Sequence, residues 1–223
     1  MPSRLHVFDT SVGSKILVGV TGFLLFLYLI LHIAGNLMVF LGADTFNGYS
    51  EMLLRNPLIV PIEIGLLLIF LLHVYKTAAL TLTNRQARPV QYTQKKSAGA
   101  PSRKTLASST MIFSGLWLLL FVVIHVRTFK YGTEYETASG VRDLYRLEME
   151  NFRSPNTLAF YVLSMVVVGC HLWHGASSTF QSLGIDKRAW TPRILAAGRV
   201  AAVLIAGGFI VIALWAFVQG ARA

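Results

Sequence analysis

Residues 16–41 read ILVGVTGFLLFLYLILHIAGNLMVFL, with no charged side chain and a single histidine, His32. A helix needs about 20 predominantly apolar residues to cross the hydrocarbon core of a bilayer, and this run exceeds that. Four further stretches have the same character: 58–82, with Pro57 and Pro61 near its start, then 106–129, 156–181 and 194–218. The fold class expected is therefore all-α and integral to a membrane, a single domain built as a bundle of five transmembrane helices.

Composition agrees. Of 223 residues, 54% are hydrophobic and only 13% charged, against about 25% charged in a typical soluble domain. The mean hydropathy is +0.58. A net charge of +10 does not point to nucleic acid, because the basic residues sit in short loops between apolar runs and form no basic face. The lone cysteine, Cys170, excludes a disulfide framework, a four-cysteine zinc site, an iron–sulfur cluster held by this chain alone and covalent attachment of haem through C-x-x-C-H. No small-residue cleavage site follows the first apolar run, which reads as a retained helix and not a signal peptide.

The loops set an expected orientation. The second loop carries Arg85, Arg88, Lys95, Lys96, Arg103 and Lys104 without an acid, and the fourth carries Lys187, Arg188 and Arg193. The first loop has Arg55 against Asp44 and Glu51, and the third balances five acids with five bases between Arg127 and Arg153. Lys and Arg accumulate in cytoplasmic loops, so the N-terminus is expected inside and the C-terminus outside. Within the third loop, residues 139–152 read as a short interfacial helix with Val141, Leu144, Tyr145 and Phe152 loosely on one face.

Five histidines lie in the apolar runs: His32, His73, His125, His171 and His174. An ionisable side chain inside a membrane helix is costly and marks function by default. At 1.5 Å per residue, His32 lies about 24 Å and His125 about 28 Å from the inner edge of their helices, while His73 and His171 lie about 22 Å from the outer edge of theirs. In a core about 30 Å thick, two histidines are thus near the outer face and two near the inner. Two stacked low-spin haems require this, one imidazole from each side of each iron, with His32 paired to His125 and His73 to His171. A proton relay would scatter its groups along a path, and zinc would want three or four ligands at one level. Helices one and three also share a spacing: Thr21-Gly22, nine residues, then His32, and Ser114-Gly115, nine residues, then His125. Small residues admit a close neighbour or a flat cofactor. In helix four the chemistry leaves His171 and His174 both open.

At this point the chain resembles the di-haem, single-subunit cytochrome b anchor of bacterial succinate:menaquinone and menaquinol:fumarate oxidoreductases. The resemblance covers the five spans, the order of the histidines, the Ser-Gly spacing of the third helix and the segment HLWHGASSTFQSLG, in which His171 stands four residues before Gly175 and thirteen before Gly184. It implies axial ligation by His32, His73, His125 and His171, leaving His174 as a bystander near a propionate or quinone. It also implies two haem b groups, a quinone (usually menaquinone) reacting near the outer haem, a flavoprotein partner with covalent FAD and an iron–sulfur partner on the basic cytoplasmic side. The setting would be the bacterial cytoplasmic membrane. Some fumarate reductases of this family carry a glutamate two residues before the fourth-helix ligand. Here Gly169 stands there, which tilts the expectation toward a succinate dehydrogenase.

Other polar residues allow two readings each. Glu63, near the outer end of helix two, either exchanges protons with a quinone or is a solvated acid favoured at a helix N-terminus. Lys76, Arg199, Arg127 and Arg153 either pair with haem propionates or snorkel to headgroups. Asn36, one turn after His32, bonds backbone or quinone. The rivals to an electron-transfer anchor are a haem-b subunit of a formate dehydrogenase or hydrogenase, which usually has four spans, a transporter or channel using buried histidines for protons, and an assembly subunit without haem.

Overall fold

The computed structural model describes residues 10–87, 110–185 and 189–220. Five helices are long and apolar enough to cross a membrane, and among the described residues there is no strand, only an isolated bridge between Glu136 and Arg142. In chain order the helices are α1 (Ser11–Asn36), which tightens into a 3-10 turn over Leu37–Leu41, then α2 (Ala43–Leu54), α3 (Ile59–Gln86), α4 (Met111–Phe129), α5 (Leu144–Phe152), α6 (Pro155–Ser182) and α7 (Thr191–Gly220). The spanning helices are α1, α3, α4, α6 and α7. The short α2 and α5 lie together across one end of the bundle, here termed the capped end.

Four helices, α1, α3, α6 and α7, run past the apolar stretches that signal them, because a helix continues until its terminal N–H and C=O groups find partners. α1 starts at Ser11, where the Thr10 hydroxyl accepts from Gly13 N–H at 3.0 Å. α6 starts with Pro155 in its first turn, and Ser154 Oγ accepts from Thr157 N–H at 3.4 Å. α3 continues through polar Thr83, Asn84 and Arg85 to Gln86. The expected start of the third span at 106 lies outside the described residues, as do Arg88, Lys95, Lys96, Arg103 and Lys104 of the second loop and Lys187 and Arg188 of the fourth.

The third loop differs from its sequence reading. The helix begins at Leu144, not 139, because Asp143 caps it by accepting from Arg146 N–H at 2.9 Å. The preceding residues turn back through Gly140, whose φ of 75° suits glycine, with Thr137 N–H bonded to the Val141 carbonyl at 2.8 Å. The buried residues of α5 are Leu147, Glu148, Met149 and Phe152. The first loop, for which no helix was expected, holds α2. Asn47 clasps the two caps together: its Nδ2 donates to Asp143 Oδ1 at 2.8 Å, and its Oδ1 accepts from Tyr145 N–H at 2.9 Å. Arg153 Nε donates to the Gly220 carbonyl at 2.7 Å, tying the end of α7 to α5.

Small residues set the closest helix approach. A Cβ at Gly169 would lie 3.1 Å from Ala206 Cβ, and one at Gly198 would lie 2.9 Å from Ala176 Cβ, so α6 and α7 touch almost backbone to backbone. Lipid is as apolar as leucine, so helix association in a membrane relies on such close van der Waals packing. Trp117 Nε1 donates to the fully buried Ser164 Oγ at 3.0 Å, joining α4 to α6. α3 contains no buried residue, and apolar side chains such as Leu31, Leu67, Leu68, Phe113 and Leu204 are exposed around the bundle. That surface is what a multi-pass membrane protein turns toward lipid.

Candidate functional site

The structure brings four of the histidines into two pairs. His32 on α1 and His125 on α4 meet near the capped end, with ring centres 5.9 Å apart and planes at 85°. His73 on α3 and His171 on α6 form the second pair, close enough to interact electrostatically. The two levels are separated along α1 and α4 alike. Thr21, which touches His73, precedes His32 by eleven residues, and Ser114, which touches His171, precedes His125 by eleven. Eleven helical residues rise about 16 Å.

The second pair is held by matched hydrogen bonds. Thr21 Oγ1 lies 3.0 Å from His73 Nδ1, and Ser114 Oγ lies 3.0 Å from His171 Nδ1. Each hydroxyl has one proton. Thr21 donates its own to the Leu17 carbonyl at 2.7 Å, and Ser114 to the Met111 carbonyl at 3.0 Å. With those protons on the carbonyls, the hydroxyl oxygens accept Nδ1–H from the imidazoles, the tautomer that leaves the Nε2 lone pair of each ring available to a metal. The glycines complete the fit. A Cβ at Gly22 would lie 3.1 Å from His73 Cε1, and one at Gly115 would lie 3.9 Å from His171 Cε1. The Thr-Gly and Ser-Gly spacings thus have equivalent roles, but they serve histidines on neighbouring helices rather than their own. His174, three residues on, is close enough to His171 to interact with it electrostatically.

The pair at the capped end is set by aromatic rings. Tyr28 stacks on His32 at 5.3 Å and Phe209 of α7 tilts against it at 5.5 Å. Phe121 stacks on His125 at 5.5 Å, with Phe129 at 5.3 Å and Tyr161 at 6.1 Å around it. His125 Nδ1 is buried without a hydrogen-bond partner, an unsatisfied polar atom beside the ring of its partner histidine. Asn36 takes the backbone role: its Nδ2 donates to the His32 carbonyl at 2.8 Å and stands 3.4 Å from His32 Nδ1.

Glu63 on α3 pairs with Lys130 just beyond α4 and interacts electrostatically with Tyr28, the ring stacked on His32. The remaining polar candidates separate. Arg153 ties α5 to α7 and pairs with Glu150 at 4.0 Å. Arg199 lies over the Trp173 ring at 5.3 Å and Lys76 over Tyr75 at 5.7 Å. Glu148, buried on α5, drew no attention in the sequence because it sits in a loop of mixed charge. Its signal there was its place between Leu147 and Met149.

Among the described residues no three His, Cys, Asp or Glu side chains converge as a metal cluster. The donor set consists of imidazoles in twos. Compared with models of protein families, with curated proteins and with solved structures, the chain matches none.

Proposed function

We propose that this chain is a membrane-anchor cytochrome b that carries electrons between an iron–sulfur partner and a membrane quinone, in the manner of a succinate dehydrogenase. His32 and His125 would hold one haem b, and His73 and His171 the other. The observation that carries the reading is the matched hydroxyl contact to Nδ1 of each histidine of the second pair. Two hydroxyls, each with its proton committed to its own helix, leave both imidazoles presenting Nε2, on facing helices at one level.

The dimensions fit. A metal–imidazole bond of about 2.0–2.1 Å puts two ring centres on opposite sides of one metal roughly 6 Å apart, as for His32 and His125 at 5.9 Å. Haem b supplies a one-electron carrier. His32, His125, His73 and His171 would hold it through their ring nitrogens, and burial from water would tune the potential. Glu63 would exchange protons with a quinone near the capped end, drawn to Lys130 between turnovers. Dicarboxylate chemistry would belong to a flavoprotein with FAD, docked through the iron–sulfur subunit on the basic side, with the N-terminus cytoplasmic and the C-terminus outside.

Gly169 favours succinate oxidation over menaquinol:fumarate reduction. A Cβ there would lie 3.1 Å from the Ala206 methyl, so α6 and α7 pack closely where a proton-carrying glutamate would stand. The proton-coupled transporter is the alternative from another class, and one spectrum separates them. Purified protein should give a reduced-minus-oxidised spectrum of b type with about two haems per chain. A colourless protein from haem-replete cells would overturn the reading.

A further inference from the structure

Glu148 is 5% exposed, in the middle of the buried face of α5, flanked by Leu147 and Met149 with Phe152 one turn on. Among the described residues no hydrogen bond or ion pair reaches its carboxyl group. A buried carboxylate without a counter-charge is expensive, so an acid kept here has to spend part of its time protonated.

Its surroundings are specific. α5 packs against α2, α4, α6 and α7. From α2 the titratable groups are Asp44, Tyr49 and Glu51. From α4 they are His125 and Arg127, and from the first two turns of α6 Tyr161, with Cys170, His171 and His174 further along that helix. The nearby part of α7, around Ile212 to Gly220, has none. On and beside α5 itself stand Arg142, Asp143, Tyr145, Arg146, Glu150 and Arg153. Tyr161 interacts electrostatically with Glu148. The Tyr161 ring packs on Phe152 at 5.0 Å and on His125 at 6.1 Å, and its buried hydroxyl faces the Thr128 side chain. A buried acid and a buried phenol therefore lie in sequence between the capping helix and a histidine of the upper pair.

We infer that Glu148 is the proton-binding site linked to the redox state of the haem at the capped end, taking up one proton when that iron is reduced. This rests on the haem reading of His32 and His125. The step balances. One electron from a quinol or an iron–sulfur protein converts ferric to ferrous iron and lowers the positive charge at the site by one. One proton from the aqueous side moves onto the Glu148 carboxylate, restoring that charge, and leaves again on reoxidation. Burial pushes the carboxyl group up to about 8, so that a change of one charge nearby switches its protonation near neutral pH. Tyr161, between the two, acts as a positioning residue.

The test is a spectroelectrochemical titration of the intact chain between pH 6 and 9. A tenfold change in proton activity is worth about 59 mV for a one-electron couple. In the wild type the potential of one haem should fall by a large part of that per pH unit, while the other falls much less. Glu148→Gln should flatten the first slope and leave the second, and Glu148→Asp should keep it. A flat wild-type slope, or a slope unchanged in Glu148→Gln, overturns the inference while leaving the haems in place. A chain without haem overturns the functional reading and the inference together. If Glu148→Gln does not fold, reduction-induced infrared difference spectra of the wild type and Glu148→Asp decide. A protonated carboxyl band of labelled glutamate that grows on reduction and shifts in Glu148→Asp supports the assignment, and its absence overturns it.

Discussion

Which of two histidines three residues apart is placed for a metal depends on a serine from another helix. Ser114 holds His171 at 3.0 Å through Nδ1, and its glycine neighbour leaves room for the ring. His171→Ala should therefore remove one haem, lowering the content from about two per chain to about one, while His174→Ala should keep both. Pyridine haemochrome quantitation distinguishes the outcomes, and retention of both haems in His171→Ala would reject the assignment. Thr21→Val and Ser114→Ala keep the ligands but strip each imidazole of its acceptor. Loss of such an outer partner costs roughly 10–100-fold in affinity, so haem dissociation should accelerate by that order, measurable by transfer to apomyoglobin. Both substitutions should act on the same haem, because both hydroxyls serve the second pair.

At the scale of elements, the two helix contacts that matter most have different physics. Between α6 and α7 the contact is steric: Gly198 meets Ala176 and Gly169 meets Ala206. Gly198→Val should force the helices apart at a cost of about 1–3 kcal/mol, typical of overpacking, seen as a lower midpoint in detergent denaturation. At α5 it is the burial of a carboxyl group that matters. The Glu148 carboxyl lies up to about 8 from its usual 4.5, so between those values the folded chain holds a proton that the unfolded chain has released. That contribution to stability is complete below pH 4.5 and is lost as pH rises through 8. Thermal unfolding of the oxidised protein should therefore shift downward from pH 5 to pH 8.5, and Glu148→Gln should remove much of that slope. The cap helices themselves were only partly legible. Residues 139–152 carry a helical pattern, but the capping bond of Asp143 and the turn at Gly140 decide where the helix begins. α2 escaped notice because Asn47, its anchor, finds its partners nearly a hundred residues away in Asp143 and Tyr145.

For the whole molecule, the exposed apolar side chains require a membrane or detergent, and an odd number of spans places the two ends on opposite sides. Protease digestion of sealed inside-out vesicles should remove an N-terminal epitope and spare a C-terminal one, if the basic second and fourth loops face the cytoplasm as positive charge distribution directs. The opposite pattern would reverse the docking side proposed for the iron–sulfur partner. The number of long apolar helices was legible because hydropathy over about 20 residues is a local property of the chain.

The sequence by itself determined the five apolar helices and placed four histidines at two depths, since rise per residue is fixed by the helix and needs no tertiary information. It also displayed the repeated small-residue spacing. Only the tertiary structure decided what those small residues do, that Thr21 and Ser114 reach across to His73 and His171, and that Glu148 is buried. Hydrogen bonds and burial between helices depend on which faces meet, and in lipid, where no hydrophobic force draws helices together, that choice is made by close packing among residues far apart in the chain.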